Sequence, residues 1–139
     1  MKIAVRYYSK TGNTKKLADA IATQLHVDAK DISEGLNEKV DILFLGSSVY
    51  WSGMDGSVKK FLKQHGKNAK MIVSFSTAAL ITSTFNQLQK LAEEAGLNLS
   101  RKEFHCRGEF QMLHKGKPDK ADLNAVRDFA EAIVKEEEK

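Results

Sequence analysis

The chain has one cysteine, Cys106, so no intramolecular disulfide framework can form. Its four histidines, His26, His65, His105 and His114, lie far apart and fall into no metal-ligand spacing. A single proline and no low-complexity tract exclude a linker-rich or collagenous chain. No apolar run reaches the length of a bilayer span. Arg6 and Lys10 interrupt the first apolar stretch, so no secretory h-region is expected there. Neither GxxxxGK[ST] nor a GxGxxG after the first strand occurs, which removes two familiar nucleotide-binding loops. Lysine and arginine exceed the acidic residues, 22 to 18, yet read as scattered along the chain rather than gathered in a stripe. Nucleic acid and membrane are therefore not expected as partners, and the chain is expected to be soluble and cytoplasmic.

What is present is an alternation. With 139 residues, 42% hydrophobic and 29% charged, the chain fits one globular domain over residues 1–139. Short apolar runs predict strands at Ile3 to Tyr8, Val27 to Ile32, Val40 to Gly46, Met71 to Phe75 and Leu97 to Cys106. Spacings of three and four predict helices at Asn13 to Leu25, at Ile81 to Ala95 and at Lys120 to Val134, with a shorter one carrying Val58, Phe61 and Leu62. Gly96 should stop the third helix, and Asp119 or Asp122 should cap the fourth. The closing run of glutamates opposes the helix dipole, so fraying is expected there. Strict alternation argues a five-stranded parallel sheet with helices on both faces. The second and fifth strands are the least apolar and fit the edges, giving the order 2-1-3-4-5.

In such a sheet ligands bind beyond the carboxyl ends of the strands, beside the switch point between strands one and three. Three loops matter. After strand one comes Ser9-Lys10-Thr11-Gly12-Asn13-Thr14, rich in hydroxyl and amide donors, with a glycine for close backbone approach and a helix start behind it. Such a loop suits a phosphate; an ordinary helix cap is the alternative reading. A receiver domain of the same topology would need paired carboxylates at the end of strand one, where Tyr7-Tyr8-Ser9 stands. After strand three comes Gly46 to Gly56, which includes Ser48, Val49, Tyr50, Trp51, Ser52, Gly53 and Met54. Its aromatic pair suits stacking on a planar ring or, alternatively, covering the sheet end. After strand four comes Ser76-Thr77-Ala78-Ala79, small enough for its backbone to meet a ring edge.

Strand, then Y-x-S-x-x-G-x-T, then Ala18 and Ile21, resembles the FMN-phosphate signature of the flavodoxin family. Val49 to Phe61, with Tyr50, Met54, Gly56 and Phe61, is similar to the family's flavin loop and the helix behind it. The resemblance covers essentially the whole chain and implies a flavodoxin-like three-layer sandwich. It implies noncovalent FMN, with Ser9 to Thr14 on the phosphate and the loops Ser48 to Met54 and Ser76 to Ala79 flanking the isoalloxazine ring. No catalytic side chain and no metal are then expected. The implied role is electron transfer between redox proteins, by a monomer or weak dimer. Two alternatives stay open: a small FMN-dependent NAD(P)H:acceptor reductase, and a non-redox binding module that has lost flavin. Carriers of this family are usually strongly acidic, whereas this chain has a net charge of +4, which points to acidic partners. Arg6, inside the first strand, needs a partner when buried, and Asp41 or a ligand group is expected to serve. Cys106 reads as structural, because its neighbour His105 should point to the opposite face of the strand.

Overall fold

The computed structural model describes residues 1–9, 12–49, 56–78, 85–107 and 116–139, with side chains at all of these except 48, 49, 78 and 107. Strand β1 (Ile3–Tyr7) runs through the middle of a parallel sheet. On one side it pairs with β2 (Ala29–Asp31), and on the other with β3 (Val40–Val49), followed by β4 (Ala69–Ala78) and β5 (Leu99–Arg107). The resulting order, β2-β1-β3-β4-β5, is the one the apolar content of the strands predicts.

Side chains alternate between the two faces of the sheet. Val5, Ile42, Phe44, Val73 and Phe75 pack with α1 (Asn13–Leu25) and α4 (Lys120–Glu138). Ala4, Leu43, Leu45 and Ile72 pack on the opposite face with α2 (Gly56–His65) and α3 (Phe85–Ala95). Both faces of β3 are therefore buried, as its nearly continuous apolar sequence requires. The expected apolar faces hold: Leu17, Ala18 and Ile21 of α1, and Val58, Phe61 and Leu62 of α2, are buried.

Several boundaries differ from expectation. β2 is shorter, because Asp31 ends it: the Asp31 carboxylate accepts the Ser33 N–H at 2.9 Å and opens a 3-10 turn, Ile32–Glu34. β3 and β4 are longer, since parallel pairing continues past the apolar core through Ser47↔Ser76, Ser48↔Thr77 and Val49↔Ala78. Gly46 to Val49 and Ser76 to Ala78, expected in loops, are thus strand ends. Ile81, expected to begin the third helix, lies outside the described residues, and α3 is described from Phe85. Gly96 does end it, at φ +70°, with the Leu97 N–H on the Ala92 carbonyl at 2.8 Å. The glutamate run does not end α4 early; the helix continues to Glu138, where Glu136 is held by Lys102 and Glu131 by Lys135.

Arg6 is corrected as well. Its Nε donates to the Gly35 carbonyl at 2.7 Å and its Nη1 to the Val5 carbonyl at 3.0 Å. Asp41 instead accepts the Lys2 backbone N–H at 2.7 Å and pairs with Lys70 at 3.3 Å. Burial lowers the Arg6 pKa, against the opposing pull of Glu34 and Glu38. The guanidinium thus ties the chain after β2 to the central strand.

Candidate functional site

The carboxyl ends of β1, β3 and β4 meet at the amino end of α1. The Tyr8 N–H donates to the Gly46 carbonyl at 3.0 Å, carrying the β1–β3 pairing one step past the end of the strand. A Cβ at Gly46 would stand 2.4 Å from Phe75 Cε2 and 2.8 Å from Thr14 Cγ2. Only a hydrogen fits between them, so glycine lets the first turn of α1 pack directly on β3.

Thr14 is fully buried there and joins the ends of β3 and β4. Its Oγ1 donates to the Ser47 carbonyl at 3.1 Å and lies 2.8 Å from Thr77 Oγ1. A hydroxyl has one hydrogen to give, so with Thr14 donating to Ser47, Thr77 donates to Thr14. Before the helix, Gly12 takes φ +90° at the N-cap, a conformation that glycine adopts without strain, and a Cβ there would meet nothing within 4 Å. Its N–H donates to Ser9 Oγ at 2.9 Å, which ties the start of α1 back to the residues after β1. Among the described residues no side chain caps α1, and no carboxylate stands in its first turn. That is the electrostatic setting in which a helix start accepts an anion.

Of the expected site residues, Ser9, Gly12, Asn13, Thr14, Ser76 and Thr77 are described in full; Ser9 bonds to Gly12 and Thr14 to Thr77 here, whereas Ser76 faces the other side of β4. Asn13, Thr14, Ser76 and Thr77 are buried rather than displayed on the loop surface. Ser48, Val49 and Ala78 contribute paired backbone at the strand ends. Lys10, Thr11, Tyr50, Trp51, Ser52, Gly53, Met54 and Ala79 lie outside the described residues. Gly46 and Ser47 join the arrangement although sequence reasoning did not select them. The signal for Gly46 was its place, a glycine directly ending a buried strand. Ser47 acts through its backbone carbonyl, which no residue type announces.

On the other face of β4, Ser74 Oγ and Ser76 Oγ are buried with no hydrogen-bond partner among the described residues. An orphaned hydroxyl at the carboxyl end of a central strand is a polar group that a ligand can satisfy. On this same side a cleft of about 370 Å³ opens between α2 and the turn after β2, walled by Tyr8, Phe61 and His65 and rimmed by Ser57 and Lys60. Lys15, in the first turn of α1, is engaged by Asp19 at 2.8 Å, a bond that raises its pKa.

Cys106 is half-buried against the core. Burial above all, then the nearby Asp122, pushes its thiol from 9.0 up to about 12, so it holds its proton at neutral pH. His105 stands exposed on the opposite face, with Nδ1 2.8 Å from Glu103 Oε1. The two do not form a reactive pair. Among the described residues no three His, Cys, Asp or Glu side chains gather as metal ligands, and no helix is long and apolar enough to cross a membrane.

Residues 4–126 match the family model described as "Flavodoxin domain". An uncharacterized protein of Methanocaldococcus jannaschii is 30% identical over 149 residues, spanning 97% of this chain and 99% of that one. In fold the chain is similar to a flavodoxin from the domain Archaea, at a TM-score of 0.81 and 18% identity with both chains fully covered. It is also similar to oxidised flavodoxin 2 from Bacillus cereus, at a TM-score of 0.70 and 20% identity, covering 98% of this chain and 99% of that one.

Proposed function

The chain belongs to the flavodoxin domain family, and from that premise we propose that it binds FMN without a covalent bond and carries electrons between larger redox proteins. The observation behind this reading is the junction at Thr14, where the start of α1 is bonded to the ends of β3 and β4 at once. Bound FMN would supply the redox chemistry itself. The protein's part is to hold and orient.

Ser9 and the residues from Lys10 to Thr14 are assigned to the phosphate. Gly12 lets the backbone approach it closely, and the carboxylate-free first turn of α1 leaves the positive end of the helix dipole unopposed. The residues from Ser48 to Met54 and from Ser76 to Ala79 are assigned to the ring, with Tyr50 and Trp51 as stacking partners and Ser76 Oγ as a hydroxyl awaiting a polar partner. The Thr14–Thr77 bond ties the start of α1 to the end of β4, which supports a site prearranged for both ends of the ligand. The donor set fits the group.

Titrating the purified, folded protein with FMN tests this directly. The expected result is one-to-one quenching of flavin fluorescence with a perturbed visible spectrum. Absence of quenching by a demonstrably folded protein would leave residues 9–14 as a polar helix start and remove the redox reading.

A further inference from the structure

From Gly56 to Ala92 the chain contains no aspartate or glutamate, yet it carries six lysines. The structure gathers four of them. Helix α2 turns Val58, Phe61 and Leu62 into the core, which leaves Lys59, Lys60 and Lys63 on its outward side, followed by Lys67 in the next turn. All four are exposed, and none has an ion-pair partner among the described residues. Several lysines elsewhere are matched, Lys2 by Glu38, Lys15 by Asp19, Lys102 by Glu136 and Lys135 by Glu131. Lys59 with Lys63, and Lys63 with Lys67, stand four residues apart. Within α2 the Lys59–Lys63 repulsion weakens the helix, although Lys63, in its last turn, complements the helix dipole. The face also reaches the candidate site: Lys60 rims the cleft that Tyr8 walls, one residue before Ser9.

We propose that the outward face of α2 docks an acidic protein, the partner with which the carrier exchanges electrons; this rests on the carrier reading above. The occupant follows from charge and from what the face lacks. It contains no arginine, the residue suited to bidentate grip on phosphates, which disfavours a nucleic acid. A ten-residue helix, about 15 Å long, also tracks little of a phosphate backbone. No large apolar side chain is exposed on it to enter a lipid surface, the exposed large hydrophobic among the described residues being Met1. Flexible, strongly hydrated lysines attract at long range yet release readily. That suits brief complexes formed by electrostatic steering onto a carboxylate-rich surface.

The test is a titration of the isotope-labelled protein, with and without FMN, by an oxidised acidic iron–sulfur ferredoxin, followed by backbone NMR shifts. The expected result is shifts centred on α2, and affinity that falls about tenfold or more as ionic strength rises from about 0.01 M to about 0.15 M. The triple variant Lys59→Glu, Lys60→Glu, Lys63→Glu should weaken binding by at least about tenfold at low salt. A control with the same change in net charge, Lys120→Glu, Lys135→Glu, Lys139→Glu, should weaken it much less. Equal loss in both variants, shifts mapping away from α2, or no binding at low salt would each overturn the proposal. So would tighter binding to duplex DNA or phosphatidylserine vesicles through the same lysines. Docking on α2 by a protein that fails to bind FMN would uphold the surface and overturn the carrier reading.

Discussion

A single hydroxyl, that of Thr14, ties the start of α1 to the ends of two strands, β3 and β4. Replacing Thr14 by valine keeps the shape but removes the hydroxyl that donates to the Ser47 carbonyl and accepts from Thr77 Oγ1, in a buried setting. The expected cost is about 1–3 kcal/mol in urea unfolding. FMN affinity should fall with it, whereas Thr14→Ser, which keeps the hydroxyl, should restore most of both. Equal FMN affinity in wild type and Thr14→Val would show that the junction does not position the ligand. Cys106 makes a prediction about pH. Its folded pKa, about 12, lies above the unfolded value of 9.0, so the folded state keeps a proton that the unfolded state releases between those limits. Stability must therefore fall as pH rises through that window. Relative to Cys106→Ala, the wild-type urea midpoint should be unaffected by this proton at pH about 8 and should lose ground steadily above pH about 9. A thiol reagent at neutral pH should label Cys106 slowly in the folded protein and quickly in urea.

At the scale of elements, α4 depends on its cap. The Asp119 carboxylate accepts the Asp122 N–H at 3.0 Å while Asp122 accepts the Asp119 N–H at 2.9 Å, and Lys117 bridges both. Foremost the backbone bond from Asp122, then Lys117, holds the Asp119 carboxyl below its ordinary range. A depressed carboxyl contributes stability that is present above its unfolded pKa and is lost as pH falls through the folded one. Asp119→Ala should thus lower the melting temperature by several degrees at neutral pH, with the gap closing below pH about 4. A gap that persists unchanged in acid would mean that the charge on Asp119 is not what caps the helix. This cap was legible from sequence because Asp119 and Asp122 sit three apart after Pro118. The helices were legible for the same kind of reason: burial of Val58, Phe61 and Leu62, or of Leu17, Ala18 and Ile21, is a local pattern. Strand ends were not. Ser47 and Ser76 look like loop residues, and only their pairing across two strands makes them sheet. Arg6 was misread for a related reason, since its acceptor is a backbone carbonyl 29 residues away. The candidate loops were visible by composition, but the bond that joins them, Thr14 to Thr77, spans 63 residues and carries no local signature.

For the whole molecule the governing fact is sign of charge. The chain carries +4 at neutral pH, and the described first turn of α1 holds no carboxylate. Adding electrons to a bound flavin builds negative charge in the site, and a positive surrounding field favours that charge. The potential of the more negative FMN couple should therefore be less negative than in an acidic relative of the same fold. Salt decides whether the field is responsible. Raising ionic strength from about 0.01 M to about 0.15 M shortens the Debye length from about 30 Å to about 8 Å and screens the distant lysines. If their field sets the potential, spectroelectrochemical titration should show it moving to more negative values with salt, opposite to the direction expected of an acidic protein. The Lys59→Glu, Lys60→Glu, Lys63→Glu variant should start more negative and respond less. A potential that ignores both salt and these substitutions would assign its value to short-range contacts in the ring loops, and the basic surface would then act on partner encounter alone.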